Sequence, residues 1–162
     1  MESGLSRFRF GIVTVSDTRD PGTDASGPAI RDALAALGAT EFETCIVRDE
    51  PDQISAALRD LCETCHAVFT TGGTGFSPRD TTPEATLPLL DKRAPGLETL
   101  LLLRGLEQTE MACLSRGVCG LHGRTLVVNL PGSPAGARTG VEALAHVLEH
   151  LLEQANGGTA HD

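Results

Sequence analysis

Between Thr70 and Thr86 the chain reads TTGGTGFSPRDTTPEAT, which sets Gly72, Gly73 and Gly75 just ahead of Arg79 and Asp80. Glycine backbone can turn N–H groups toward an anion and let it approach closely. An Arg offers phosphate a two-pronged fork, and an ionised Asp suits Mg2+. The run matches neither of two common phosphate loops. No Lys-Ser/Thr follows at Walker A spacing, and Pro78 stands where the dinucleotide fingerprint wants a glycine. A bare glycine turn is the competing explanation; the Arg79-Asp80 pair favours a site.

Asp17 in VSDT and Asp49 in VRDE also follow apolar runs. Two of Asp17, Asp49 and Asp80 converging on one Mg2+, shared with substrate phosphates, would suit a metal that takes one or two carboxylates and keeps its waters. The alternatives are local. Asp17, Asp20 and Asp24 lie in a turn-rich segment, and Asp49 suits the cap of a helix starting at Pro51. Asp80 is harder to explain as a cap, because Thr82 is expected to cap the helix that opens with Pro83 and Glu84. Gly132 and Ser133, in NLPGSP, precede the last helix, whose N-terminus suits an anion; Ser133 is also a natural cap there.

Other reactive residues point to no chemistry. Ser16, Ser115 and Ser133 have no neighbouring His that would make a nucleophile triad. His146 and His150 share a helix face with Glu142 and Glu153, which reads as solvated surface rather than a metal site. Cys62 and Cys65 form one CxxC without a second pair. Cys62 falls on an apolar helix face with Ile54, Leu58 and Leu61, so core packing is expected, with zinc or redox use as the alternative.

The elements that must position these loops alternate. Strands are expected at 8–15, 40–49 and 66–71, with two more around His122-Gly123. Helices are expected from Pro28, capped by Ser26 and stopped by Gly38, then over 50–64, from Thr82, over 97–108, and finally as one helix to about Gln154. This order predicts an α/β fold, a mainly parallel sheet with helices on both faces. In such sheets ligands bind outside the carboxyl ends of the strands. That rule selects SDTRD, RDEPD, GGTGFSPRD and PGSP, four loops at one edge. The 162 residues suit one domain, with a core over 7–155 and a flexible tail over 156–162.

Composition narrows the partners. With a net charge of -9 the surface does not invite nucleic acid or anionic membrane, so attraction for an anion must be local. Aromatic residues make up 3% of the chain, with no Trp or Tyr, which leaves little base-stacking surface. No apolar stretch is long enough to span a bilayer, and the first residues lack the apolar run of a signal peptide. A cytoplasmic address with reduced cysteines is the expectation.

Taken in order, TVSDT, DASGP, VRDE, TTGGTGFSPRDTTPEAT, PGL, LSR and NLPGSP resemble the MogA/MoaB family of molybdenum cofactor biosynthesis, which includes a domain of gephyrin. The resemblance runs from about Arg9 to Leu152. It implies a three-layer α/β sandwich, a homotrimer, and molybdopterin adenylyltransfer from Mg-ATP with release of pyrophosphate. It implies Asp49 and Asp80 as the catalytic, Mg2+-binding pair. Gly72, Gly73, Thr74 and Gly75 would contact phosphates, with Arg79 beside them. Ser16 and Asp17 match the first-strand loop, and Ser115, Pro131, Gly132 and Ser133 match pocket-lining positions. The metal-inserting enzyme of the same pathway is an implied partner. Rival readings are a pterin-binding protein without catalysis, a CinA-like nucleotide pyrophosphatase, and a scaffold.

Overall fold

The computed structural model describes residues 4–158. Three runs are buried along almost their whole length: Arg9–Val15 (β1), Ala67–Thr71 (β3) and Thr125–Leu130 (β6). Continuous burial marks strands covered on both faces. They form the centre of a six-stranded sheet with the order β2-β1-β3-β6-β5-β4, where β2 is Glu41–Val47, β4 is Lys92–Arg93 and β5 is Cys119–His122. The first four strands of that order are parallel, and β5 pairs antiparallel with both β6 and β4. The register places Val15 beside Val47, Thr14 beside Thr71, and Thr71 beside Leu130. The carboxyl ends of β1, β2, β3 and β6 therefore finish level, and their four loops meet at one edge.

Alternation along the strands separates two cores. Phe10, Ile12, Phe69, Leu126, Val128 and Leu130 face one layer, built from α1 (Ser26–Ala36), α4 (Pro95–Gln108), α5 (Pro134–Ala143) and α6 (Leu148–Ala155). Val13, Val15, Val68 and Val127 face the other, built from α2 (Pro51–Thr64) and the short α3 (Thr82–Thr86). This is the expected three-layer arrangement. Cys65 and Cys119 are buried, and Cys62 packs against the second core. Burial pushes the Cys62 thiol up to about 12, which suits packing rather than thiolate chemistry.

Several local expectations are corrected. Ser26 does not cap α1; the Asp24 carboxylate accepts from the Ser26 and Gly27 N–H groups instead. Asp49 does not cap α2, whose cap position is Glu50 with no side-chain bond. Thr82 lies inside α3 rather than before it. The last helix is two. Leu144, Ala145 and Val147 each donate to the carbonyl three residues back, which tightens the winding and ends α5 before α6 begins. The face of Glu142, His146 and His150 is exposed as expected, and Glu153 there pairs with Arg7. The tail expectation falls partly outside the described residues, which end at 158.

One polar network crosses the second core. Buried Asn129, on β6, donates to the Thr70 and Thr86 hydroxyls at 3.0 and 3.1 Å, and its carbonyl accepts from Val118 N–H at 3.1 Å. Thr86 in turn donates to the Thr82 carbonyl at 2.8 Å. The network fixes α3 against β3 and β6, directly beneath the glycine run. Asn129→Ala would leave its partners unsatisfied in an apolar setting. The expected cost is about 2–4 kcal/mol, read as a lower urea midpoint; an unchanged midpoint would contradict it.

Candidate functional site

The glycine run leaves β3 at Thr71 and folds back over the strand ends. Gly72 and Gly73 have φ of 99° and 68°, the left-handed region that side chains disfavour. A Cβ on Gly72 would also run into the Val15 carbonyl oxygen, and one on Gly73 into the Thr82 hydroxyl. Glycine is therefore required at both positions by backbone sign and by space.

Four successive carbonyls of this loop are taken by the protein. The Thr82 hydroxyl donates to the Gly72 carbonyl at 2.9 Å and the Thr82 N–H to that of Gly73 at 3.0 Å. The Arg116 N–H donates to the Thr74 carbonyl at 2.8 Å, and Arg116 Nε to that of Gly75 at 2.8 Å. In a trans peptide the N–H of the next residue points opposite to the carbonyl. Binding these four carbonyls turns away the N–H groups of Gly73, Thr74, Gly75 and Phe76. Among the described residues none of these four donates to a protein acceptor. The loop thus presents a row of free donors.

Two carboxylates flank that row. Asp49 Oδ1 lies 3.3 Å from where a Gly73 Cβ would sit, and Asp80 Oδ2 lies 2.9 Å from the corresponding point at Gly75. Asp80 Oδ2 also accepts from Ser77 N–H at 3.0 Å, which fixes its rotamer. Burial, followed by the nearby charges of Asp17 and Asp80, pushes the Asp49 carboxyl above its ordinary range. Asp17 behaves oppositely: its hydrogen bond from Arg79 is the largest of the influences that hold it below that range.

Arg79 is engaged within the cluster. Its Nε and Nη2 grip the two Asp17 oxygens at 3.0 Å each, and Nη2 reaches Glu50 at 2.9 Å. Asp17 also accepts from Asp49 N–H at 3.1 Å, tying the β1 loop to the β2 loop. The fork expected to face phosphate is thus occupied by carboxylates in this structure.

The other sequence candidates gather at the same edge. The Ser16 hydroxyl accepts from Thr18 and Arg19 N–H groups, shaping the β1 loop. Thr71 donates to the Pro131 carbonyl at 2.7 Å, and Gly132 packs on Gly72. Ser133 caps α5 by accepting from Gly136 N–H at 3.0 Å. Ser115 is exposed, and its backbone neighbour Arg116 attaches it beside Thr74. Sequence reasoning missed Arg116, Thr82 as a tether, and Phe76. Phe76 is 72% exposed, with the Arg116 guanidinium 5.5 Å from its ring centre. A lone Arg between the exposed Ser115 and the strand-entry Gly117 carried the one available signal.

Among the described residues no three His, Cys, Asp or Glu side chains cluster closely enough to hold a metal by themselves. The Asp49–Asp80 pair fits an ion that takes one or two carboxylates and completes its shell with waters and phosphate oxygens. The charges of Asp17 and Asp80, which add to burial in raising Asp49, are what such an ion would relieve.

Comparison with known proteins places the site in context. A family model described as a probable molybdopterin binding domain matches residues 11–150. A molybdopterin adenylyltransferase of Helicobacter pylori strain J99 is 36% identical over 155 residues, covering 92% of this chain and 88% of that protein. The molybdenum cofactor synthesis protein cinnamon of Drosophila melanogaster is 43% identical over 153 residues, and the chain spans 26% of its length. Among solved structures, the molybdopterin biosynthesis enzyme MoaB of Thermus thermophilus superposes with a TM-score of 0.81 at 47% identity, covering 93% of this chain and 97% of that one.

The raised Asp49 carboxyl makes a stability prediction. The folded state binds that proton more tightly than the unfolded chain, so the group's contribution is full below its ordinary value of 3.8 and is lost as pH rises through the raised value. Asp49→Asn should therefore raise the melting temperature of the ligand-free protein at pH 7. The gain should shrink as pH falls below 3.8. Equal melting temperatures at pH 7 would contradict the assignment.

Proposed function

The chain belongs to the molybdopterin-binding domain family, and from that premise we propose that it is a molybdopterin adenylyltransferase. An oxygen of molybdopterin's terminal phosphate attacks the α-phosphorus of ATP. A new P–O bond forms, the bond to the β-phosphate bridging oxygen breaks, and pyrophosphate leaves. The observation that carries the reading is the row of free N–H groups from Gly73 to Phe76, with Asp49 and Asp80 on its flanks.

Phosphoryl-group transfer of this kind asks a protein chiefly for positioning and charge neutralisation. The loop amides bind phosphate oxygens and hold them close to the strand ends, since Gly72 and Gly73 add no side chain. Mg2+, when bound, neutralises phosphate charge. Asp49 and Asp80 would hold it, Asp80 already fixed by the Ser77 N–H. Asp17 and Glu50 keep Arg79 within the cluster, a local cation that offsets part of the acidic charge where polyanions must approach. Ser16, Pro131, Gly132, Ser133 and Ser115 line the adjoining surface for the pterin and the nucleoside. The reading keeps the cytoplasmic address expected from the sequence.

Self-association belongs to the same reading. α4 has apolar residues on two sides. Leu97, Leu100 and Leu101 pack on the core, whereas Leu102, Leu103 and Leu106 are exposed, with Met111 and Leu114 beyond them. Leu103 is 56% and Met111 63% exposed, and large apolar side chains grouped in this way mark an interface. The occupant proposed is further copies of this chain, forming a homotrimer.

Two measurements test these proposals. Asp80→Asn should lower pyrophosphate release from Mg-ATP and molybdopterin by on the order of 100-fold while molybdopterin binding persists. Wild-type protein that binds molybdopterin tightly but releases no pyrophosphate would replace the enzyme with a binding protein. Leu103→Glu should convert the trimer to monomer in light scattering with the fold retained by circular dichroism. A wild-type monomer at high concentration would overturn the association proposal.

A further inference from the structure

Arg116 bonds to more of the glycine loop than any residue the sequence had singled out. Its backbone N–H holds the Thr74 carbonyl at 2.8 Å, Nε holds the Gly75 carbonyl at 2.8 Å, and Nη2 holds the Asp80 carbonyl at 3.0 Å. Nη1 grips both Glu84 oxygens at 2.9 Å, on the helix that follows. The excursion from Gly75 to Asp80 thus leaves and returns to one planar guanidinium. Its side chain is 29% exposed, and each of its three nitrogens bonds within the protein. With every nitrogen engaged by the loop or by Glu84, the side chain acts first on the geometry of the loop.

We propose that Arg116 is the positioning residue of this site. It ties the two ends of the 75–80 excursion together, fixes the direction of the Gly75 and Phe76 N–H groups, and fixes the backbone that carries Asp80, whose carboxylate would hold the metal. Three features make this work specific to Arg. The guanidinium is planar, it carries donors on three nitrogens, and those nitrogens meet two carbonyls and one carboxylate from different segments. A Lys ammonium supplies the same charge from one point and cannot span both carbonyls. The Glu84 pair lies on the exposed side of the clamp and aims the side chain, while the carbonyl bonds order the loop.

The kinetic part of this proposal rests on the adenylyltransferase reading; the structural part does not. Hydrogen–deuterium exchange of the ligand-free protein tests the structural part. In Arg116→Ala the hydrogen-bonded amides of Ser77 and Asp80 should exchange on the order of 10-fold faster, with β1, β3 and β6 unchanged. Arg116→Lys should resemble Arg116→Ala, and Glu84→Gln should resemble wild type, since it keeps both carbonyl bonds. Unchanged loop exchange in Arg116→Ala, or full rescue by Arg116→Lys, overturns the proposal. If Arg116→Ala does not fold, the Arg116→Lys exchange decides alone.

In the kinetic arm, the Mg2+ concentration for half-maximal pyrophosphate release should rise on the order of 10-fold in Arg116→Lys, with far less change in kcat at saturating Mg2+. A purely structural role would lower the amount of active protein and leave Mg2+ affinity unmoved. An unmoved Mg2+ requirement therefore refutes positioning of Asp80. Absence of pyrophosphate release from wild type defeats the activity reading, and the exchange arm still judges Arg116.

Discussion

The site depends on four carbonyls being held. Thr82 takes those of Gly72 and Gly73, and Arg116 takes those of Thr74 and Gly75. Because each peptide is planar and trans, holding the carbonyl fixes the direction of the following N–H. A glycine-rich loop left to itself would sample many orientations at a high entropic cost of ordering. Here that ordering is completed within the fold, before any ligand arrives. Preorganised donors are effective because they need no rearrangement as charge develops.

Each holder is itself fixed by packing. Thr82 begins α3, whose Thr86 bonds to Asn129 on the buried β6 strand. Arg116 precedes β5 and is aimed by Glu84, on the same α3 helix. The level strand ends set by the sheet register bring the Asp17, Asp49 and Asp80 loops to the same edge. Burial is the first cause of the upward push on Asp49, and the like charges of Asp17 and Asp80 add to it. Arg79 relieves part of that charge through Asp17 and Glu50. An acidic protein can in this way hold an anion: oriented amides, one internal Arg and a bound cation reverse the sign locally.

Much of this was legible in the chain itself. The strand–helix alternation and the four loops at one edge follow from short-range apolar periodicity and from glycine and proline placement. Asp49 stood out in the loop after β2, and Asp80 because it follows Arg79 at the end of the glycine run with the expected cap already assigned to Thr82. What escaped was whatever joins distant segments. Arg116 meets Gly75 across 41 positions and Asp80 across 36, and Asn129 meets Thr70 across 59. Spacing along the chain carries no trace of such pairs. Local rules also misassigned Thr82, because a Thr before Pro-Glu satisfies the capping pattern while its hydroxyl is drawn to the Gly72 carbonyl instead. Arg79 looked free for phosphate only because its partners, Asp17 and Glu50, lie in other loops.

The most direct measurement is a crystal structure grown with Mn2+ and a non-hydrolysable ATP analogue. The expected result has phosphate oxygens on the N–H groups of Gly73 to Phe76 and a single anomalous peak bridging Asp49 and Asp80. A nucleotide seated elsewhere, with those N–H groups left to water and the metal away from both carboxylates, would contradict it.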